Sequence, residues 1–208
     1  LGVTGVLQAV IAGVAVLATF VVGARLGGRR VGLIAAAVLA LWPNFIVYSG
    51  LVLSETLFVA CFAVALAALL TMCDDGRWHA ARVATAVIAV AAAMAVRPQL
   101  FTTLPALVAA WVLCRVGWRS TVGRTAVLVA GVLLFTVPWA IRNERVFHAF
   151  VPFSTNGGDN LCVGFHPGAT GGFSIPRYCD TGEFYVDGPA AELRRDRETR
   201  RRAVAWIR

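Results

Sequence analysis

The sequence contains no lysine and few charged residues of any kind. All 19 basic residues are arginine, and charged residues make up 14% of the 208 positions, whereas soluble domains carry about 25%. Without lysine, the glycine-rich nucleotide-binding loop that ends in Lys-Ser or Lys-Thr is excluded. The metalloprotease pattern HExxH is also missing, and the three histidines are scattered. The commonest nucleotide-hydrolysing and zinc-protease classes therefore do not fit.

Apolar residues dominate instead. They make up 59% of the chain, and the mean hydropathy is +0.75, which indicates an integral membrane protein. The net charge of +8 does not indicate a nucleic-acid partner, because seven arginines lie in the last 15 residues and most others border apolar segments.

The apolar segments predict an all-α, polytopic transmembrane helix bundle. A span needs about 20 apolar residues, or fewer if it is bent or shielded. Six candidates satisfy this, at residues 3–24, 31–48, 53–72, 80–96, 99–114 and 125–141. Pro43 and Pro105 interrupt the second and fifth candidates, and the sixth runs into Pro138. Residues 1–142 should form the bundle, and residues 143–208 an outer segment of loop and basic helix.

The arginines predict the orientation of this bundle. Three alternate connections hold eight of them, whereas the two opposite connections hold only Arg97. Arginine accumulates on the cytoplasmic side of membrane proteins. We therefore expect a multi-pass protein of the cell membrane whose N-terminus and residues 143–208 are extracytoplasmic. The chain begins inside an apolar segment and ends inside a helical pattern, so we expect it to be part of a longer protein.

Two charged residues lie where spans meet the predicted outer face. Glu55 follows Ser54 at the start of the third span, which fits either an acid in a capped first turn or a carboxylate facing a water-filled cavity. Arg97 is the exception to the charge asymmetry, and Pro98 breaks the helix beside it. Its guanidinium could simply reach the headgroups, or its fork could bind a phosphate.

Two further outer features are polar. Trp139 is a natural interface anchor, and Arg142 and Asn143 follow it. The stretch STNGGDN then combines Ser154, Thr155, Asn156 and Asn160, whose groups suit sugar hydroxyls, with two glycines. Gly157 and Gly158 permit positive φ and would let backbone N–H groups approach a ligand. Instead of binding a ligand, Trp139 and the residues after it could form an aromatic belt at the membrane interface, and the stretch STNGGDN could be a plain surface loop.

Cysteines and acids elsewhere suggest structure rather than catalysis. Cys162 and Cys179 are the cysteines on the predicted oxidising side, 17 residues apart, and we expect them to form a disulfide. Cys61, Cys73 and Cys114 should behave as small buried hydrophobes. The pair Asp74–Asp75 should face solvent on the cytoplasmic side.

The arginine-rich tail should form a helix that begins near Pro189. Asp187 or Gly188 would cap it, and Glu192 suits its first turn. The helix could be solvated, or it could lie on anionic headgroups or polyprenyl phosphates.

Three segments, LWPNFIVYSGLVLSETLF, RPQL and PWAIRNERVFHAFVPFSTNGGDNLCVGFHPGATGGF, together resemble bacterial membrane glycosyltransferases of family 39. Relatives of that family include protein O-mannosyltransferases and lipid A aminoarabinose transferases, all of the GT-C architecture. The third segment carries the most specific part of the resemblance.

The resemblance implies inverting transfer of a sugar from a polyprenyl-phosphate donor at the outer membrane face. A carboxylate would deprotonate the acceptor hydroxyl, and basic residues or a divalent metal would stabilise the leaving phosphate. Glu55 would be the second acid, and Arg97 and Arg142 candidate phosphate partners. Family members carry the general base in an outer loop after their first span. By this resemblance Leu1 opens the second span, so we expect this chain to lack the general base.

Two other classes stay open at the level of sequence. One is a transporter or flippase for a lipid-linked sugar, which would use the same arginines without chemistry. The other is a non-catalytic membrane subunit. Membrane lipid is an expected partner in each case. The acceptor, whether protein, lipid or glycan, is open, and so is the need for a metal.

Overall fold

The computed structural model describes residues 2–51, 53–74, 80–98, 100, 105, 109, 111–112, 117–171, 174, 176–183 and 185–208, without the side chains of 71–74. Every regular element in these ranges is helical, which confirms the predicted all-α class. The fifth predicted span lies mostly outside them, as do Asp75, Arg77, Cys114 and Arg115. The chain divides into two compact units, Leu1–Phe135 and Thr136–Arg208.

The first element, α1 (Val3–Leu41), reverses direction at Gly28. Gly28 has φ 83° and ψ 172°, a backbone conformation that favours glycine. A Cβ on Gly23 would lie 2.8 Å from the Cα of Gly32, whereas nine residues of straight helix span about 13 Å. The two arms of α1 therefore pack against each other, and the first two predicted spans are joined by a one-residue turn.

The second predicted span ends at a break that the sequence places at Pro43. Helix α1 stops at Leu41, and Pro43 occupies the first turn of the short helix α2 (Pro43–Gly50). Helix α3 (Ser54–Asp74) follows, and its first part is bent by 116° relative to α2. Pro43 suits this position because its fixed φ fits a helix start and the first turn needs no N–H donor.

Helix α3 packs against both α1 and α4 (Ala80–Val96), and small residues fill the contacts. Ten alanines of α1, α3 and α4 are buried, whereas large side chains such as Val6, Leu17 and Ile34 are exposed. Helices in a membrane pack through small residues and turn large apolar side chains towards lipid. This inverted distribution fits a membrane bundle.

Helix α5 (Trp118–Phe147) is longer than the predicted sixth span. The predicted sixth span runs into Pro138, and the helix continues through this residue for nine more. Proline removes one helical hydrogen bond, and such a loss is tolerated in membrane helices. Gly131 lies against α4, because a Cβ there would be 2.2 Å from Val87 Cγ1.

By length and apolarity, two helices in the described ranges can cross a membrane, α1 and α5, or three if the bent pair of α2 and α3 is one span. Helix α4, at 17 residues, is apolar but shorter. The sequence-based count of six exceeds this because it treats the two arms of α1 separately and includes α4 and the fifth span. The count of six remains a prediction.

The C-terminal unit is built on two helices, α6 (Gly157–Gly164) and α7 (Pro189–Ile207), which pack against each other. Two short 3₁₀ turns, Arg177–Cys179 and Tyr185–Asp187, lie between them in sequence and contact α7. Helix α7 begins at Pro189 as predicted, after Gly188 with φ 98°.

Candidate functional site

Glu55 and Arg97 meet because of how α3 and α4 pack. Glu55 lies in the first turn of α3, and Arg97 directly follows the last residue of α4. The Arg97 N–H still donates to Ala93 O at 2.8 Å, so the helical turn continues to this residue. Two helices that run in opposite directions bring the start of one beside the end of the other. Residues 42 positions apart thus become neighbours.

The two side chains form a direct ion pair. Arg97 Nη2 donates to Glu55 Oε1 at 2.5 Å, and the side chains are 40% and 33% exposed. The Arg97 guanidinium also lies 5.8 Å from the centre of the Phe58 ring, within range of a cation–π interaction. A partly buried arginine that is held by a carboxylate and a ring keeps a fixed orientation.

This ion pair faces a cavity of about 440 Å³ in the first unit. Aromatic and aliphatic side chains make up most of the wall, and the charged pair lies at one side. The lining residues are Leu39, Trp42, Asn44, Phe45, Tyr48, Glu55, Phe58, Val59 and Arg97. Such a wall suits a ligand that combines an apolar part with a negative group.

The donor set of this cavity does not fit a divalent metal. Magnesium and similar ions take several oxygen ligands, usually with carboxylates among them. Glu55 is the one carboxylate in the lining, and its Oε1 already accepts a hydrogen bond from Arg97. In the part of the chain described above, no three His, Cys, Asp or Glu residues form a group that could hold a metal ion.

The predicted residues after Trp139 lie in the C-terminal unit. The Trp139 indole N–H donates to Phe153 O at 2.9 Å, and the Arg142 guanidinium lies 5.1 Å from the centre of the Trp139 ring. Asn143 is 2% exposed and donates to Val151 O at 3.0 Å. Its Oδ1 accepts from Arg142 at 3.0 Å. Asn143 therefore fixes the turn after α5, and its amide is fully engaged.

The polar stretch at 154–160 differs from the loop that its sequence predicts. Gly157 begins helix α6, and neither Gly157 nor Gly158 has positive φ. Gly158 is needed because α7 lies so close that a Cβ would be 1.9 Å from Asp196 O. Its N–H donates to Asp196 Oδ1 at 2.6 Å. Gly158 thus serves helix packing, and its N–H is not available to a ligand.

The other polar groups of this stretch bind one another or α7. The Ser154 hydroxyl donates to Asn156 Oδ1 at 2.6 Å, and the Thr155 hydroxyl donates to Glu192 Oε1. Thr155 is buried, whereas Ser154, Asn156 and Asn160 are exposed. Of these residues, Ser154 and Thr155 line a cavity, together with Trp139 and Arg142.

Most arginines of α7 have acidic partners within the same unit. Arg194 pairs with Glu183, Arg195 with Asp159, Arg200 with Asp196, and Arg201 and Arg202 with Glu198. The hydrogen bonds from Arg201 and Arg202 lower the pKa of Glu198. This pairing favours a helix docked on its own unit over one whose charges are directed at anionic headgroups.

Cys162 and Cys179 form a disulfide, with an S–S distance of 2.04 Å and Cα atoms 5.9 Å apart. Both cysteines are buried, and they pack with Ala203 of α7. The bridge joins α6 to the 3₁₀ turn at Arg177–Cys179, so it closes the segment that α7 covers. Cys61 is a free cysteine of intermediate exposure.

One structural residue was not predicted from the sequence. Gln8 is buried in α1, and its amide donates to Leu51 O at 3.3 Å and Leu53 O at 3.1 Å. These carbonyls lie at the break between α2 and α3, where Leu51 O also accepts from the Leu53 N–H at 2.8 Å. In an apolar environment such groups need a partner. The feature of the sequence that could have predicted this role is a single glutamine in a long apolar span.

Comparison with known proteins identifies the chain. The sequence matches the dolichyl-phosphate-mannose-protein mannosyltransferase family over residues 3–141, which is more than half of its length. No similar curated protein and no similar solved structure is found. The chain therefore belongs to the dolichyl-phosphate-mannose-protein mannosyltransferase family, and it is a multi-pass membrane glycosyltransferase of the GT-C type.

Proposed function

We propose that the chain transfers a sugar from a polyprenyl-phosphate donor to an acceptor hydroxyl, and that Arg97 holds the donor phosphate. The observation that carries this proposal is the Arg97–Glu55 ion pair at a mostly apolar cavity. Arginine binds phosphate through a planar fork, and the apolar wall suits the adjoining part of a lipid. Family membership supports the reaction class.

In the proposed reaction, the acceptor oxygen forms a bond to the anomeric carbon while the bond from that carbon to the phosphate oxygen breaks. The electron pair stays on the phosphate, and the anomeric configuration inverts. A cation fixed beside the leaving oxygen stabilises the charge that develops there. Arg97 takes this role, and the acceptor proton goes to a carboxylate other than Glu55.

Glu55 acts in this proposal as a positioning residue, the second acid of the site. Its Oε1 accepts from Arg97 Nη2 at 2.5 Å, which leaves the other N–H groups of the guanidinium to face a ligand. A neutralising carboxylate also offsets part of the cost of placing Arg97 in an apolar environment. The arginine asymmetry supports placement of this site on the extracytoplasmic side of the cell membrane.

The test is kinetic and uses the complete enzyme in membranes. Arg97→Lys keeps the charge but loses the fork, so kcat/KM for the donor should fall at least about tenfold. Glu55→Gln should lower donor use as well, and Glu55→Asp should restore part of it. Arg145→Lys, an exposed arginine of α5, is the matched control and should change nothing. Donor kinetics that are the same for Arg97→Lys and wild type would refute the role of Arg97.

A further inference from the structure

A second cavity, of about 390 Å³, lies wholly within the C-terminal unit. Its wall combines three aromatic rings with charged and hydroxyl groups. The lining residues are Trp139, Arg142, Asn143, Val146, Phe147, Phe153, Ser154, Thr155, Gly188, Pro189 and Glu192. Its volume falls within the range of about 300–1,000 Å³ typical of small-molecule sites.

Two opposite charges line this cavity without neutralising each other. Arg142 is oriented by Trp139 and by Asn143, and Glu192 accepts a hydrogen bond from Thr155. Within the described ranges, neither Arg142 nor Glu192 has an oppositely charged group within 4 Å, although both line the same wall. A guanidinium can only donate hydrogen bonds, and a carboxylate can only accept them.

We infer that this cavity binds a neutral sugar unit. Neighbouring hydroxyls of a sugar both accept and donate, so one ring can accept from Arg142 and donate to Glu192. The ring's apolar C–H face would lie on the aromatic wall, where Trp139 is 51% exposed. The Ser154 hydroxyl, also in the wall, offers a further polar contact.

The sugar could come from two sources, the acceptor or the donor. We assign it to the acceptor, a step that rests on the proposed function, in which Arg97 in the other unit holds the donor phosphate. The acceptor would then be a glycan or glycolipid whose terminal sugar occupies this cavity. A zwitterionic lipid headgroup, which would also match one cation and one anion, is the alternative that the test must separate.

Binding can be measured without any donor. The probe is methyl α-mannopyranoside added to the complete protein in nanodiscs and observed by saturation-transfer NMR. Wild-type protein should bind it saturably. Arg142→Gln and Glu192→Gln should each weaken binding at least about tenfold, since each removes a hydrogen bond to a charged group. Glu192→Gln keeps an acceptor for Thr155, so the fold is preserved, and Ser154→Ala offers a second mild variant.

Arg145→Gln and Glu198→Gln remove the same charges outside the cavity and should leave binding unchanged. Absence of sugar binding, equal binding by all variants, or preference for glycerophosphoethanolamine would overturn the inference. The transfer assay distinguishes an acceptor sugar from a donor sugar. Glu192→Gln should raise the KM for a glycan acceptor and leave the KM for the donor unchanged. A rise in the donor KM alone would overturn the assignment to the acceptor. If the protein does not bind the sugar but donor use still depends on Arg97, this inference fails and the proposed function stands. If the protein binds the sugar but donor use does not depend on Arg97, only the proposed function fails.

Discussion

Replacing Gly158 with alanine should undock α6 from α7. The new Cβ would lie 1.9 Å from Asp196 O and 2.6 Å from Thr199 Oγ1, both in α7. The helices must separate by about 1 Å or more to relieve the backbone contact, and overpacking of this kind costs roughly 1–3 kcal/mol. The same movement stretches the hydrogen bond from Gly158 N–H to Asp196 Oδ1, which is 2.6 Å long.

The net effect can be estimated from these terms. A hydrogen bond to a charged group contributes about 1.5–3 kcal/mol. Alanine is better than glycine inside a helix by about 1 kcal/mol, which offsets part of the loss. The docked state should therefore lose roughly 2–4 kcal/mol, which raises the population of the undocked state about 30-fold or more.

Trypsin offers a direct assay, because α7 carries six arginines between residues 194 and 202. Cleavage there requires local opening, and its rate follows the population of the open state when closing is fast. Gly158→Ala should therefore be cut about 30-fold faster than wild type or more. Gly164→Ala is the control, since its Cβ would meet nothing within 4 Å. Equal cleavage rates for Gly158→Ala and Gly164→Ala would refute the close-packing explanation.

Two further predictions concern the disulfide and the topology. Cys179→Ser should destabilise the C-terminal unit by up to about 3 kcal/mol, because the bridge closes a 17-residue segment; a thermal unfolding curve identical to wild type would contradict this. Single cysteines at positions 77 and 183 should react with membrane-impermeant reagents from the cytoplasmic and external sides respectively. The reverse pattern would disprove the orientation.

The sequence was most informative for features that depend on neighbouring residues in the chain. Pro189 begins a helix as predicted, Pro43 interrupts the second predicted span and begins α2, and the apolar runs predict the helices. Glycine was harder to interpret. Gly158 looked like a flexible loop residue, but its lack of a side chain serves contact with Asp196, 38 positions away. Such a contact depends on tertiary packing, and local sequence does not encode it.

The candidate site also combines residues that the sequence singles out with residues that only the tertiary structure reveals. Glu55 and Arg97 stand out because charge is costly in an apolar chain, and the structure brings them together. Glu192 was interpreted only as a residue of a helix first turn, since nothing in its neighbourhood indicates that it shares a cavity with Arg142.

The most direct test of the proposed function is sugar transfer itself. Membranes containing the complete protein are supplied with a labelled polyprenyl-phosphate mannose and with candidate glycan, lipid and peptide acceptors. We expect a new glycosidic bond of inverted anomeric configuration, formed by wild type and Arg145→Lys and strongly reduced in Arg97→Lys. Movement of the labelled lipid across the membrane without any transfer to an acceptor would contradict it.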